Sequence, residues 1–207
     1  MEHPGRTGCF WGLKTNKMAD RLVRCFIAVK LPAQIKKRLA AVQFKLKKHA
    51  LNAKWTDPSA FHLTLHFLGE IPFSDIGGIG QAMDDATSQI YSFQLRVAGL
   101  GVFPSFRKPR IIWAGIEDDA GALKRLHSRL SKSLAASGLR GKKQKFSPHV
   151  TLGRMRQPVR GNSVEKALSK VQIQDKNGFD VKDIHLYESI LYRSGAVHTI
   201  LKTSDLN

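Results

Sequence analysis

The period of polar and apolar positions changes several times along the chain, and each change marks an element. Residues 22–31 (LVRCFIAVKL) are almost continuously apolar and stop at Pro32, the pattern of a buried strand. Pro32 can open a helix at its N-terminus. Ile35, Leu39, Val42 and Leu46 then recur on one helical face, with lysines on the other. Residues 55–69 predict a second strand region, with a turn at Asp57-Pro58 followed by FHLTLHFLG. Ile76, Ile79, Met83, Ala86 and Ile90 fit a second helix, and residues 93–103 and 110–117 fit strands joined by the turn FPSFRKP. Leu123, Leu126, Leu130 and Leu134 define a third helix, ended by Gly138. A strand follows over 146–155, then a short helix carrying Val164, Leu168 and Val171. Strands over 180–192 and 196–203 close the chain around a turn at Ser194-Gly195. A βαβ-type unit thus occurs twice, predicting a duplicated α+β fold. Residues 1–20 show no periodicity and read as a poorly ordered tail or leader ahead of a single unit over 21–207.

Inside two of these strands the same fragment appears: His62-Leu63-Thr64-Leu65 and His149-Val150-Thr151-Leu152. Residues i and i+2 of a strand point to one side. His62 and Thr64 are therefore expected on one face with His66 next along it, and Leu63, Leu65 and Phe67 on the other face, entering the core. His149 and Thr151 repeat the arrangement over Val150 and Leu152. Apolar residues anchor each strand while a His/Thr pair faces a cleft. An imidazole with a pKa near neutrality serves both halves of proton transfer, so one ring can take a proton from water while its partner gives one to a leaving oxygen. Threonine hydroxyls can donate to phosphate oxygens where charge builds. Two such pairs suffice for in-line hydrolysis of a phosphodiester without a metal or other cofactor. The other histidines (His3, His49, His127, His185 and His198) have no companion motif and are expected in the tail, on the surface or on helix faces.

Composition sharpens this reading. The net charge is +18, from 34 Lys and Arg against 16 Asp and Glu. The excess is clustered over residues 31–56 and 140–160, both free of acidic residues, which points to a polyanion whose phosphates supply much of the affinity. Only two cysteines occur, Cys9 and Cys25, so neither a disulfide framework nor a CxxC site is expected, and a reducing cytoplasm is the simple inference. No run approaches the length of a membrane span, and no HExxH pattern or nearby carboxylate cluster suggests a metal.

With these residues in hand, the chain resembles the 2H phosphoesterase superfamily, and within it the RNA 2′,3′-cyclic phosphodiesterases of the bacterial and archaeal "2′-5′ RNA ligase" group. The matching segments are RCFIAVKLP, KWTDPSAFHLTLHFLGE, LGVFPSFRKPRIIWAGI and FSPHVTLGR. The resemblance implies a bilobal α+β fold, with two antiparallel sheets related by a pseudo-two-fold axis and flanked by helices around a basic cleft. It implies hydrolysis of a terminal 2′,3′-cyclic phosphate to a 2′-phosphomonoester, and the reverse joining of RNA ends. Carried over by position, His62 protonates the leaving O3′, His149 activates water, and Thr64, Thr151 and Arg154 hold the phosphate. Phe26 stacks on the terminal base. Strict alternation would put Arg154 on the wrong face, so Gly153 or the end of the strand must bend the chain. The expected partner is an RNA end, tRNA-like fragments included, bound by a monomer with no membrane association. A different small cyclic nucleotide, a 2′-5′ oligonucleotide, or RNA-end binding without turnover are the alternatives.

Overall fold

A computed structural model describes residues 21–139, 146–157, 162–173, 178–192 and 195–207. The tail over 1–20, much of the basic stretch over 140–160 and the turn residue Ser194 lie outside the described residues. Among the described residues nine strands and four helices follow in chain order: β1 (Leu22–Lys30), α1 (Ala33–Lys47), β2 (Ala53–Trp55), β3 (His62–Pro72), α2 (Ile76–Thr87), β4 (Phe93–Phe103), β5 (Ile111–Glu117), α3 (Ala122–Ala136), β6 (His149–Met155), α4 (Asn162–Ser169), β7 (Phe179–Val181), β8 (Asp183–Leu191) and β9 (Ala196–Asp205).

The strands form two antiparallel sheets, ordered β3-β1-β8-β9 and β2-β6-β5-β4-β7. They meet where β3 touches β6, so the two histidine strands lie along one seam. The seam is tied from behind. Gln43 of α1 is buried, and its amide donates to the carbonyls of Thr56 (2.7 Å) and Leu152 (3.0 Å), while the Thr56 amide donates to Leu152 as well (2.9 Å). A buried amide with both protons accepted stabilises the junction, whereas an unpaired one would cost about 1–3 kcal/mol.

Helices cover the outer faces. α2 and α3 pack together, α2 against β9 and α3 against β3, behind the first sheet. α1 lies against the second sheet, lining a groove with Val97 of β4 and Ile173. The apolar positions expected on one face of α1 and of α3 are all buried. α3 starts where the Asp118 carboxylate accepts the amides of Ala122 (3.0 Å) and Lys124 (3.3 Å), which satisfies donors left over at a helix start. It ends at Gly138, whose φ of 78° lets Leu139 donate back to Leu134 (2.9 Å). Ile90 and Val171, expected on helices, come after the ends of α2 and α4 and are buried in the connections instead.

Two strand expectations change. The region over 55–69 is split: Ala53–Trp55 joins β6 in the second sheet, and the chain crosses to the first sheet only at His62. The region over 180–192 is split in the same way, Phe179–Val181 pairing with β4 and Asp183–Leu191 with β1. Three-residue strands are too short to show a period, and each is simply the last stretch before the chain changes sheet. No helix among the described residues is long and apolar enough to cross a membrane.

Candidate active site

Each motif histidine is held by the turn that precedes it. Asp57 accepts hydrogen bonds from the amide (2.7 Å) and hydroxyl (2.6 Å) of Ser59 and so folds Pro58–Ala60 into a single 3-10 turn. That turn aims the Ala60 carbonyl at Nδ1 of His62, 2.8 Å away. Around the second motif, Ser147-Pro148 places the Ser147 carbonyl 2.7 Å from Nδ1 of His149. A carbonyl can only accept, so Nδ1 of each ring donates. Nε2 is then the nitrogen left to carry a lone pair or a second proton. The same clamp, from residue i−2, fixes both rings.

Both motifs also contain a bulge. In the pairing of β1 with β3, Ala28 faces Thr64 but Ile27 faces His66, so Leu65 is the extra residue. In the pairing of β5 with β6, Trp113 faces Thr151 but Ile112 faces Gly153, so Leu152 is the extra residue. A bulge moves every later residue to the other face. This overturns the alternation expected after Thr64. Phe67 is turned to the cleft, 56% exposed and 6.3 Å from the Phe26 ring, and His66 is turned toward α3, its ring 6.4 Å from that of His127. The equivalent shift in β6 brings Arg154 onto the face of Thr151, opposite Ile111 on one side and Lys54 on the other. The bend anticipated at Gly153 is thus one residue earlier, at Leu152. Gly153 contributes by size: a Cβ there would sit 2.9 Å from the Trp55 ring.

The walls behind the two histidines are aromatic. Phe26 stacks on His62 at 4.7 Å and on Tyr187 of β8 at 5.1 Å. At 5% exposure Phe26 offers no open face to a base, and its stacking role is corrected to one of bracing His62; Phe67 is the exposed ring on that wall. Beside His149 stand Phe103 (4.9 Å, edge-on) and Trp113 (6.4 Å). Trp113 lies flat over Gly101, where a Cβ would collide with the indole. Gly101→Ala therefore displaces Trp113 from the cleft floor. Overpacking of this kind costs about 1–3 kcal/mol, so the thermal midpoint should fall by several degrees, measured by calorimetry; an unchanged midpoint would mean the floor is not packed as described.

His198 is a site residue that the sequence reading missed. It was expected at the surface, yet its ring meets those of Phe26 (5.0 Å) and His62 (5.4 Å) edge-on. The hairpin of β8 and β9 curls it over the first sheet, and its Nδ1 is buried without a hydrogen-bond partner. The one available signal was alternation, which places His198 and the exposed Ile200 on one face of β9. His185 is likewise buried rather than superficial, 2.9 Å from the Thr203 hydroxyl and 3.0 Å from the Asp183 carboxylate. His127 stacks on Phe146 at 3.9 Å, behind the seam.

The protein's own electrostatics oppose protonation of both motif rings. Burial first, then the charges of His198, Lys36 and His149, push His62 down to about 4 against the pull of the Ala60 carbonyl. Burial and then Arg154 lower His149, against the pull of Ser147. With both rings held toward their neutral form and the charges of Lys36 and Arg154 acting on them, the potential along the seam is positive, which favours an anion there. Among the described residues no group of three His, Cys, Asp or Glu side chains is arranged to hold a metal.

Known proteins share the family and the fold. The family model of LigT-like phosphoesterases matches twice, over residues 29–113 and 115–198, one HxTL motif in each match. An RNA 2′,3′-cyclic phosphodiesterase of Aeropyrum pernix is 30% identical over 164 residues, covering 79% of this chain and 92% of that protein. One of Aquifex aeolicus is 28% identical over 170 residues, covering 80% and 90%. A crystal structure from Thermus thermophilus superposes with a TM-score of 0.74 at 27% identity, covering 88% of this chain and 97% of that one. With both repeats matched and the fold shared, this chain belongs to the LigT-like phosphoesterase family.

Proposed function

We propose that the protein hydrolyses RNA ending in a 2′,3′-cyclic phosphate to the 2′-phosphomonoester, with His62 and His149 as its acid and base. The observation that carries the reading is the duplicated clamp: two rings at one seam, each with Nδ1 engaged by the carbonyl of residue i−2 and Nε2 left for chemistry. The curated relatives that match most of the chain bear the name of this activity.

In this mechanism the cyclic phosphate lies between the two strands. Thr64 and Thr151 donate to its non-bridging oxygens, and Arg154 supplies the positive charge that the transition state needs. His149 takes a proton from water through Nε2 as the water attacks phosphorus. The bond from phosphorus to O3′ breaks, and His62 gives its Nε2 proton to O3′. The protein alone holds His62 neutral at pH 7, so the substrate anion supplies the negative charge that lets it hold a proton. Phe26 and Tyr187 keep the His62 ring upright, and Phe67 offers the exposed surface for the terminal base, a contact worth about 1–3 kcal/mol. With a ribose 5′-hydroxyl in place of water, the same step joins two ends through a 2′-5′ linkage.

The test is a short RNA ending in a 2′,3′-cyclic phosphate, incubated with the protein and a chelator, with the product identified by phosphorus NMR. The expected product is the 2′-phosphate at an undiminished rate. A 3′-phosphate would reverse the roles of the two rings, and no turnover would leave RNA-end binding as the better reading.

A further inference from the structure

Lys30 and Lys36 stand beside His62, and neither touches the phosphate in the mechanism above. Lys30 ends β1 directly opposite His62 in the ladder, so both side chains leave the sheet on the same face. Lys36 lies in the first turn of α1, and its ammonium donates to the Ser59 carbonyl, within the turn that clamps His62. The two cations repel one another: burial first, and then Lys30, makes Lys36 easier to deprotonate. The Lys30 charge also reaches His185, and that of Lys36 reaches His62. The nearest carboxylates are committed elsewhere. Asp57 holds the amide and hydroxyl of Ser59, and Asp183 stands 3.0 Å from His185. Beside His62 the fold thus places two ammonium groups whose neighbouring carboxylates are engaged by other partners, which suits them to an incoming anion.

We propose that Lys30 and Lys36 form a second anion subsite, one that takes the phosphate on the 5′ side of the terminal nucleotide while the cyclic phosphate occupies the histidine site. This rests on the cyclic phosphodiesterase reading, since a mononucleotide without a 5′-phosphate has nothing to place there. In an RNA strand the next phosphate is one nucleotide from the reacting one, and the two lysines stand next to His62. The subsite gives the enzyme a preference for chain ends over free nucleosides by a charge-assisted contact rather than by reading bases.

The experiment compares kcat/KM for adenosine 2′,3′-cyclic phosphate and for its 5′-phosphorylated form, in the wild type and in the Lys30→Gln variant. The wild type should favour the 5′-phosphorylated compound on the order of tenfold. Lys30→Gln should bring that ratio close to one, while the unphosphorylated compound stays within about threefold of wild type. A wild type without the preference, a variant that keeps it, or an equal loss on both compounds would each overturn the subsite. Binding of adenosine 2′,5′-bisphosphate against adenosine 2′-monophosphate reads the same ratio without turnover. A protein that hydrolyses neither cyclic compound but keeps the lysine-dependent binding ratio therefore sinks the phosphodiesterase reading and not the subsite.

Discussion

Replacing either motif histidine with asparagine should lower kcat for cyclic phosphate hydrolysis by about 10²–10⁴-fold, the usual contribution of a positioned acid or base. Asparagine is chosen because its side-chain amide can still donate to Ala60 or Ser147 from near the place of Nδ1, which preserves the clamp and removes only Nε2. The fold should survive, with a thermal midpoint within a few degrees of wild type, and affinity for the product phosphate should change far less than kcat. Because the rings act in one step, His62→Asn combined with His149→Asn should cost little more than the worse single variant. If either variant keeps more than a tenth of wild-type kcat, that ring does not carry a proton in the reaction.

Acid should unfold this protein early. His62, His66, His127, His149, His185 and His198 are all held below the ordinary histidine pKa, with burial the leading cause in each. In the unfolded chain the same groups titrate near 6.5. Between that value and their folded values the unfolded state binds more protons, so stability falls as pH falls. The contribution is complete above about 6.5 and is lost progressively below it. His62, at about 4 in the folded state, accounts on its own for on the order of 3 kcal/mol once the pH is below that value. Urea midpoints at pH 7.5 and pH 5 should therefore differ clearly, and His62→Asn should narrow the gap. Inorganic phosphate should narrow it too, because an anion in the cleft favours protonated His62. Equal midpoints at the two pH values would show that these rings are solvated, contrary to the packing described.

Much of this was legible in the sequence because burial writes a period. Leu63 and Leu65, and Val150 and Leu152, lie in the core as the alternation requires, which is why the two His/Thr pairs could be placed on cleft faces. The alternation failed one residue later, and for a physical reason. Leu65 and Leu152 are each the unpaired residue of a bulge, but a buried leucine in a bulge looks like a buried leucine in register. Residues beyond a bulge face the other way, so Phe67 and His66 were assigned to each other's surfaces. The face of Arg154 was anticipated only because the resemblance demanded it. His198 was illegible because its contact with His62 arises from the curl of a hairpin more than 130 residues downstream of the first motif, a distance no local pattern spans. Phe26 was recognised at the right wall, but its depth in that wall is a matter of packing, which period does not report.

The order in which the strands enter the sheets has a consequence for synthesis. β1 and β3 come early in the chain, but their sheet is finished by β8 and β9, which follow every strand of the second sheet. Until they emerge, one edge of β1 has no neighbour, and the ring of Tyr187 has not yet closed on Phe26. The second sheet, by contrast, has all but β7 in place once residue 155 is out. On the ribosome, then, the half bearing His149 can settle first, and the half bearing His62 waits for the final hairpin. Between the emergence of β6 and that of β9, a nascent chain holds His149 in a nearly complete sheet and His62 in one that still lacks two strands.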